Sequence, residues 1–175
     1  IHYRLQNEKT IEMLAESNLP TEYGEFRLTV YQDKVGGDVH LALARGEVRA
    51  EVPVLVRVHM LDTLSDLFGA VRSDVSWPLR EALQRIAAES SGVLVLLRKP
   101  HEALDLAEHI RDYCSQEQGA RLAKQTAGEE LRTFGVGAQI LADIGVGKMR
   151  VLGTPKRMHG LSGFGLEVVE YVSAD

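Results

Sequence analysis

The chain has 175 residues, 45% of them hydrophobic, with a net charge of −5 and a single cysteine. That length suits one domain with a real core and at most a small appendage. The negative balance, with no basic stripe interleaved with aromatics, argues against a nucleic-acid surface. The lone Cys114 excludes a disulfide within the chain, and no apolar run is long enough to span a membrane. Low cysteine use and the lack of a signal peptide predict a cytoplasmic location.

The chain opens IHYRLQNEKTIEMLAESNLPTEYGEF, without an initiator Met and partway through an amphipathic pattern. It is therefore expected to be a piece of a longer protein. Residues 1–18 are expected to be the end of an upstream domain or a linker helix stopping before Pro20. From Glu25 to Gln32, Phe26, Leu28 and Val30 alternate on one face, a strand signal. The turn Asp33-Lys34-Val35-Gly36-Gly37-Asp38 leads to a second strand, Val39–Ala44. Val54–Val58 is a third. Pro78–Ser90 carries Leu79, Ala82, Leu83, Ile86 and Ala87 at helical spacing. Val93–Leu97 reads as a buried strand. His101–Gln116 reads as a helix with a stripe of Leu104, Ala107, Ile110 and Tyr113. Glu130–Ile144 is predicted as a second long helix with Leu131, Phe134, Ala138, Leu141 and Ile144 inward. Lys148–Leu152 and Leu166–Val172 complete the strands. Short strands among helices, with an antiparallel start, predict an α/β domain, with α+β as the alternative: a mixed sheet with flanking helices over 19–175.

Four segments carry a family resemblance. Residues 57–79 read RVHMLDTLSDLFGAVRSDVSWPL, and 19–26 read LPTEYGEF. Residues 129–141 read EELRTFGVGAQIL, and 151–170 read VLGTPKRMHGLSGFGLEVVE. Together they resemble GTP cyclohydrolase II, a zinc hydrolase that opens the guanine ring of GTP in riboflavin synthesis. Arg57, Val58, His59, Asp66, Phe68, Gly69, Arg72, Asp74 and Leu79 keep the family frame of the first segment. The resemblance puts the family's three cysteine ligands at Asp62, Ser73 and Val75. A catalytic zinc needs three good donors plus water, and Val75 offers none. Zinc is therefore not expected, nor any other cofactor for this domain. His59, His101 and His109 match no known ligand spacing.

The family's glycine-rich nucleotide loop aligns with LRKPHEALDL, Leu97–Leu106. Here Glu102 stands in place of an arginine, and Ala103 and Asp105 in place of glycines. Acidic side chains there repel a triphosphate, and Pro100-His101-Glu102 reads as a helix start instead. Arg132 matches the family's catalytic arginine and Glu130 its general base, one methylene longer. A misplacement of about 1 Å can cost about a hundredfold in rate, so both are read as vestigial. The alternative is that Glu129 and Glu130 favour a helix N-terminus. Arg57, His59, Thr154 and Lys156, with Arg157 as a second choice for the last, are the candidate substrate contacts.

The resemblance also implies that Ile1–Lys9 is similar to the end of a dihydroxybutanone phosphate synthase domain. The expected partners are thus a covalently attached upstream synthase, a second copy in a homodimer, and a nucleotide or phosphate ligand. The expected function is a riboflavin-biosynthesis domain inactive on GTP, acting as a structural or regulatory module of the synthase. Two alternatives stand beside it: a nucleotide hydrolase with altered metal use, and a non-catalytic nucleotide or flavin sensor.

Overall fold

The structure, a computed structural model, describes residues 9–70, 77–98, 107, 110–111, 133–153 and 161–173. The described residues form strands β1 (Ile11–Thr21), β2 (Gly24–Asp33), β3 (Val39–Arg45), β4 (Val54–Met60), β5 (Gly92–Leu97), β6 (Lys148–Leu152) and β7 (Glu167–Val172). Helices α1 (Thr63–Phe68) and α2 (Leu79–Ala87) lie between β4 and β5. Helix α3 (133–144) precedes β6. All seven strands join one sheet in the order β1-β2-β3-β5-β4-β6-β7. The β1, β2, β3 and β5 neighbours are antiparallel, whereas β5, β4, β6 and β7 run parallel. The expected mixed sheet with flanking helices is thus observed.

Each strand of the parallel half presents apolar side chains to both faces, as a sheet covered on two sides requires. On one face Val54, Val56, Val93, Val95, Met149 and Val151 pack with Val136, Ala138, Ile140 and Leu141 of α3. On the other, Leu55, Leu94 and Leu152 pack with Ala82 and Ile86 of α2 and with Trp77 and Phe26. Burying a Val, Leu or Ile side chain contributes about 1.5–3 kcal/mol, so these two layers are the main source of stability. The stripe predicted from Pro78 to Ser90 is the one α2 buries, through Ala82 and Ile86.

The amino-terminal segment departs from expectation. A linker helix is not present over residues 11–18, which belong to β1 and pair with β2 from Ile11↔Asp33 to Thr21↔Gly24. The hairpin is closed by the Thr21 hydroxyl, which donates to the Gly24 carbonyl at 2.7 Å and accepts from the Tyr23 amide. LPTEYGEF is therefore a strand end, a tight turn and a strand start. No alternation marks β1 because it is exposed on both faces from Glu12 to Pro20, so long-range pairing with β2 decides its conformation rather than its own pattern. Pro20 is tolerated because β1 is an edge strand with no ladder on its outer side. Within the predicted helix 101–116, the described residues 107, 110 and 111 are helical but exposed. Of the stripe read there, Ala107 and Ile110 are exposed, and Leu104 and Tyr113 lie outside the described residues.

The motif GVGAQIL is a packing device. A Cβ added at Gly137 would lie 3.3 Å from Val58 Cγ1 and 3.4 Å from Leu97 Cδ1, so α3 sits close on β4 and β5. Gln139 accepts from the Thr10 amide at 2.8 Å and donates to its hydroxyl at 3.0 Å. Asp143 accepts from Tyr31 at 2.9 Å and pairs with Lys9. Burial alone would raise the Asp143 pKa, but the hydrogen bonds from Lys9 and Tyr31 outweigh it and hold the carboxyl below its usual range. These contacts fasten the start of the hairpin onto α3.

Gly137→Leu tests the close approach. Leucine improves helix propensity by less than about 1 kcal/mol, while overpacking costs about 1–3 kcal/mol. A net loss of about 1–2 kcal/mol in urea unfolding is expected.

Candidate functional site

The connections leave β4 and β5 toward opposite faces of the sheet. After β4 the chain passes to α2, which packs on the Leu55 and Leu94 face. After β5 it proceeds to α3, which packs on the Val56 and Val95 face. Open α/β sheets bind ligands at such a switch point, outside the carboxyl ends of the strands. The described carboxyl ends of the parallel strands β4 and β5 lie at this edge, with that of β6 beside them. Residues 61–70 follow β4, residues 98–106 follow β5, and residues 153–160 follow β6. Helix α3 ends beside the start of β6, so its beginning, directly after Arg132, also faces this edge. Glu130, Arg132, Thr154, Lys156 and Arg157 lie outside the described residues, as do Ser73, Val75 and the segment 99–106.

Arg57 and His59 alternate with the valines of β4 and project to the Trp77 side. Arg57 Nη1 donates to the Leu152 carbonyl at 3.0 Å and Nη2 to the Trp77 carbonyl at 3.4 Å. Trp77 Nε1 in turn donates to the Val172 carbonyl at 3.0 Å. Arg57 thus ties the end of β6 to Trp77, and Trp77 ties that turn to the end of β7. Burial lowers the Arg57 pKa, with the Asp66 carboxylate acting in the opposite sense.

His59 is 4% exposed, and its Nε2 lies 3.0 and 3.1 Å from the two carboxylate oxygens of Asp66. Asp66 also accepts from the Asp62 amide at 2.9 Å. The Ser65 hydroxyl donates to the Asp62 carboxylate at 2.7 Å. Gly69, at φ 67°, ends α1 in a left-handed turn, and its amide and that of Ala70 meet the carbonyls of Ser65 and Leu64. This is the pattern of glycine-terminated helices. The surviving Asp66, Phe68 and Gly69 therefore build a turn and its helix.

The donor set does not fit a zinc ion. Of the family ligand positions only Asp62 offers a carboxylate, which accepts from Ser65, while Ser73 offers a hydroxyl and Val75 nothing. The Nε2 of His59 is turned to Asp66. Among the described residues no group of three His, Cys, Asp or Glu side chains is arranged to hold a metal. The nearby hollow between α3 and the sheet is lined by Val56, Val58, Phe134, Ala138, Leu141, Met149, Val151 and Leu161. Such hydrocarbon walls offer no partner for a phosphate or a guanine edge.

Two features of this edge escape sequence reasoning. Asp66 registers there only as a frame residue, although an Asp in the first turn of a short helix, seven residues after a His, is a signal for a buried pair. His40 carries no motif. It is 3% exposed, and its Nδ1 accepts from the Arg98 amide at 3.0 Å, fixing the chain where it leaves β5.

A sequence model of GTP cyclohydrolase II matches residues 12–173. The chain belongs to the GTP cyclohydrolase II family. A 3,4-dihydroxy-2-butanone 4-phosphate synthase of Pseudomonas aeruginosa is 47% identical over 175 residues, which is 100% of this chain and 47% of the relative. The riboflavin biosynthesis protein RibBA of Aquifex aeolicus is 41% identical over 178 residues, which is 98% of this chain and 44% of the relative. The crystal structure of RibBX, a two-domain 3,4-dihydroxy-2-butanone 4-phosphate synthase from A. baumannii, matches with a TM-score of 0.67 and 35% identity, over 99% of this chain and 43% of that one. This member of the GTP cyclohydrolase II family therefore spans less than half the length of these relatives. No helix among its described residues is long and apolar enough to cross a membrane.

Burial lowers the His40 pKa, against the opposing pull of Asp38 and Asp33 and with the help of Arg98. The folded state thus favours neutral imidazole, whose Nδ1 lone pair accepts the Arg98 amide. A histidine depressed on folding contributes stability that is full above its unfolded value, near 6.5, and falls as pH drops below it. His40→Asn keeps an acceptor near Nδ1 without the titration. Its urea midpoint should fall less than that of the wild type between pH 7.5 and pH 5.5.

Proposed function

We propose that this domain is catalytically silent toward GTP and serves as a structural or regulatory module of a dihydroxybutanone phosphate synthase. The observation that carries the reading is the turn after β4. At the first of the family's ligand positions, Asp62 is bonded to Ser65 within the turn, and the other two positions hold Ser73 and Val75. Without a metal to lower its pKa from about 15.7 to about 7, water is not a competent nucleophile at neutral pH. Glu102 in place of the loop arginine removes a phosphate partner as well.

In this reading Arg57 and His59 are framework residues, because Arg57 Nη1 and Nη2 and His59 Nε2 bond to Leu152, Trp77 and Asp66, while Arg57 Nε and His59 Nδ1 are buried without a hydrogen-bond partner. Glu130 and Arg132 are remnants at the entrance to α3, and Thr154 and Lys156 belong to the matching segment after β6. The names of the relatives support the context. The protein from Pseudomonas aeruginosa and the two-domain protein from A. baumannii are both called synthases. A synthase of this kind converts ribulose 5-phosphate into dihydroxybutanone phosphate and formate. The proposed setting is a cytoplasmic homodimer with the synthase attached to this domain.

The test is to supply full-length protein with GTP and zinc, magnesium or manganese, without ribulose 5-phosphate. Formate can then arise only from the guanine ring. No formate and no loss of GTP above the protein-free control are expected. Metal-dependent GTP opening at a steady rate would end the proposal.

A further inference from the structure

We propose that Arg57 and His59 hold a single ordered water molecule between them, on the Trp77 side of β4. Two residues apart on one strand, they project from the same face. Each keeps one nitrogen that is buried and has no hydrogen-bond partner from the chain: Nε of Arg57 and Nδ1 of His59. Buried polar atoms are seldom left in that condition, and a bound water or ion is the common explanation where they are.

The other nitrogens of both side chains are committed. Arg57 Nη1 and Nη2 meet the Leu152 and Trp77 carbonyls, and His59 Nε2 meets Asp66. These bonds fix the guanidinium and the imidazole, so Nε and Nδ1 cannot swing to another partner. The neighbouring strands set Leu94 and Leu96 of β5 and Leu152 of β6 beside them. None of these offers a polar side chain.

The two atoms select the guest. An arginine Nε–H can only donate. His59 Nε2 faces a carboxylate, so in the neutral ring it carries the proton and Nδ1 is left as an acceptor. Water matches one donor and one acceptor: it accepts from Arg57 and donates to His59. A parallel strand rises about 3.3 Å per residue, which spaces the two residues about 6.6 Å apart. Two hydrogen bonds of about 2.9 Å through one oxygen span up to about 5.8 Å, so one molecule has the size to bridge side chains at that spacing. Charge points the same way. The Asp66 carboxylate acts on Arg57, and with a neutral imidazole the three side chains sum to zero. A neutral guest therefore fits better than an anion. The site uses only β4 and its buried partners, so it stands whether or not the domain opens GTP.

The test is a high-resolution crystal structure of the full-length protein at neutral pH, with a second crystal soaked in sodium bromide. One water within about 2.7–3.2 Å of both nitrogens is expected, with no bromide signal at its position. Absence of density between the two atoms would overturn the proposal. So would density that bromide replaces, or a side chain of the full-length protein bonded to either nitrogen. Nitrogen-15 NMR of protein labelled in its imidazoles gives an independent reading. His59 should carry its proton on Nε2 alone, and a ring protonated at Nδ1 would sink the assignment.

Discussion

β4 is a central strand with two buried faces, and one of those faces carries an arginine and a histidine. A charged or polar side chain in that position must find partners inside the protein, since an unpaired buried ion costs several kcal/mol. Val54, Val56 and Val58 on the other face need only hydrocarbon neighbours, which α3 supplies. The arrangement of the C-terminal edge follows from pairing Arg57 Nη1 and Nη2 and His59 Nε2, while Arg57 Nε and His59 Nδ1 stay buried without a hydrogen-bond partner from the chain. Arg57 draws the ends of β6 and the Trp77 turn together through two carbonyls. His59 requires an acceptor at its tip, and Asp66 is placed to give it by the short helix α1. Removing either partner of the His59–Asp66 pair would leave the other buried without its hydrogen bond, a loss of about 1–3 kcal/mol.

This constraint explains why frame and chemistry can separate in one segment. Residues 57–79 perform two tasks in the family that the chain belongs to: they build a turn, and they carry ligands. Asp66, Phe68 and Gly69 belong to the first task, as the α1 contacts show. Positions 62, 73 and 75 belong to the second. The hydrogen bonds of the first set run through the His59 and Asp66 side chains and the Asp62 amide, so they do not depend on which side chains occupy positions 62, 73 and 75. The same separation holds in GVGAQIL. Its buried Val136, Ala138, Ile140 and Leu141, together with Gln139 at Thr10, fasten the hairpin, α3 and the sheet. A sequence can therefore match its family closely in these motifs for reasons that have nothing to do with GTP.

Where periodicity reflected one covered face, the fold was legible in the sequence. α2 repeats against a single neighbouring layer, and the predicted spans of β2, β3 and α2 fall within a few residues of those observed, although β2 buries Phe26, Thr29 and Tyr31 rather than Leu28 and Val30. β5 was legible for a different reason: a short apolar run between a glycine and charged residues has few other uses. β1 was not legible. Exposed on both faces, it has no stripe to show, and only the complementary edge of β2 makes it a strand. At the candidate site, Arg57 and His59 were visible as family residues, but their roles were not. Whether an arginine meets a ligand or a main-chain carbonyl is settled by residues such as Leu152 and Trp77, distant in sequence and silent in composition. His40 shows the same limit, since its partner is the amide of Arg98, which any residue but proline would supply.

The two edges of the sheet differ in how they resist pairing with a further strand. β7 is short and parallel to β6, and its outward-facing residues include Glu167 and Glu170. Such charges discourage further strand addition. β1 is long and exposed on both faces, with Met13, Leu14 and Leu19 among its exposed side chains. Its defences are a register shift between Met13 and Ala15 and the proline at 20. These interrupt the outer edge without shortening it. The hairpin is nonetheless tied down, because Ile11 is buried and Thr10 and Lys9 are bound to Gln139 and Asp143 of α3. Anything that pulls on the chain just ahead of Lys9 therefore acts on α3, whose beginning stands at the carboxyl-end edge of the parallel strands. This line from the chain's first described residues to α3 joins the start of the sheet to its packed core.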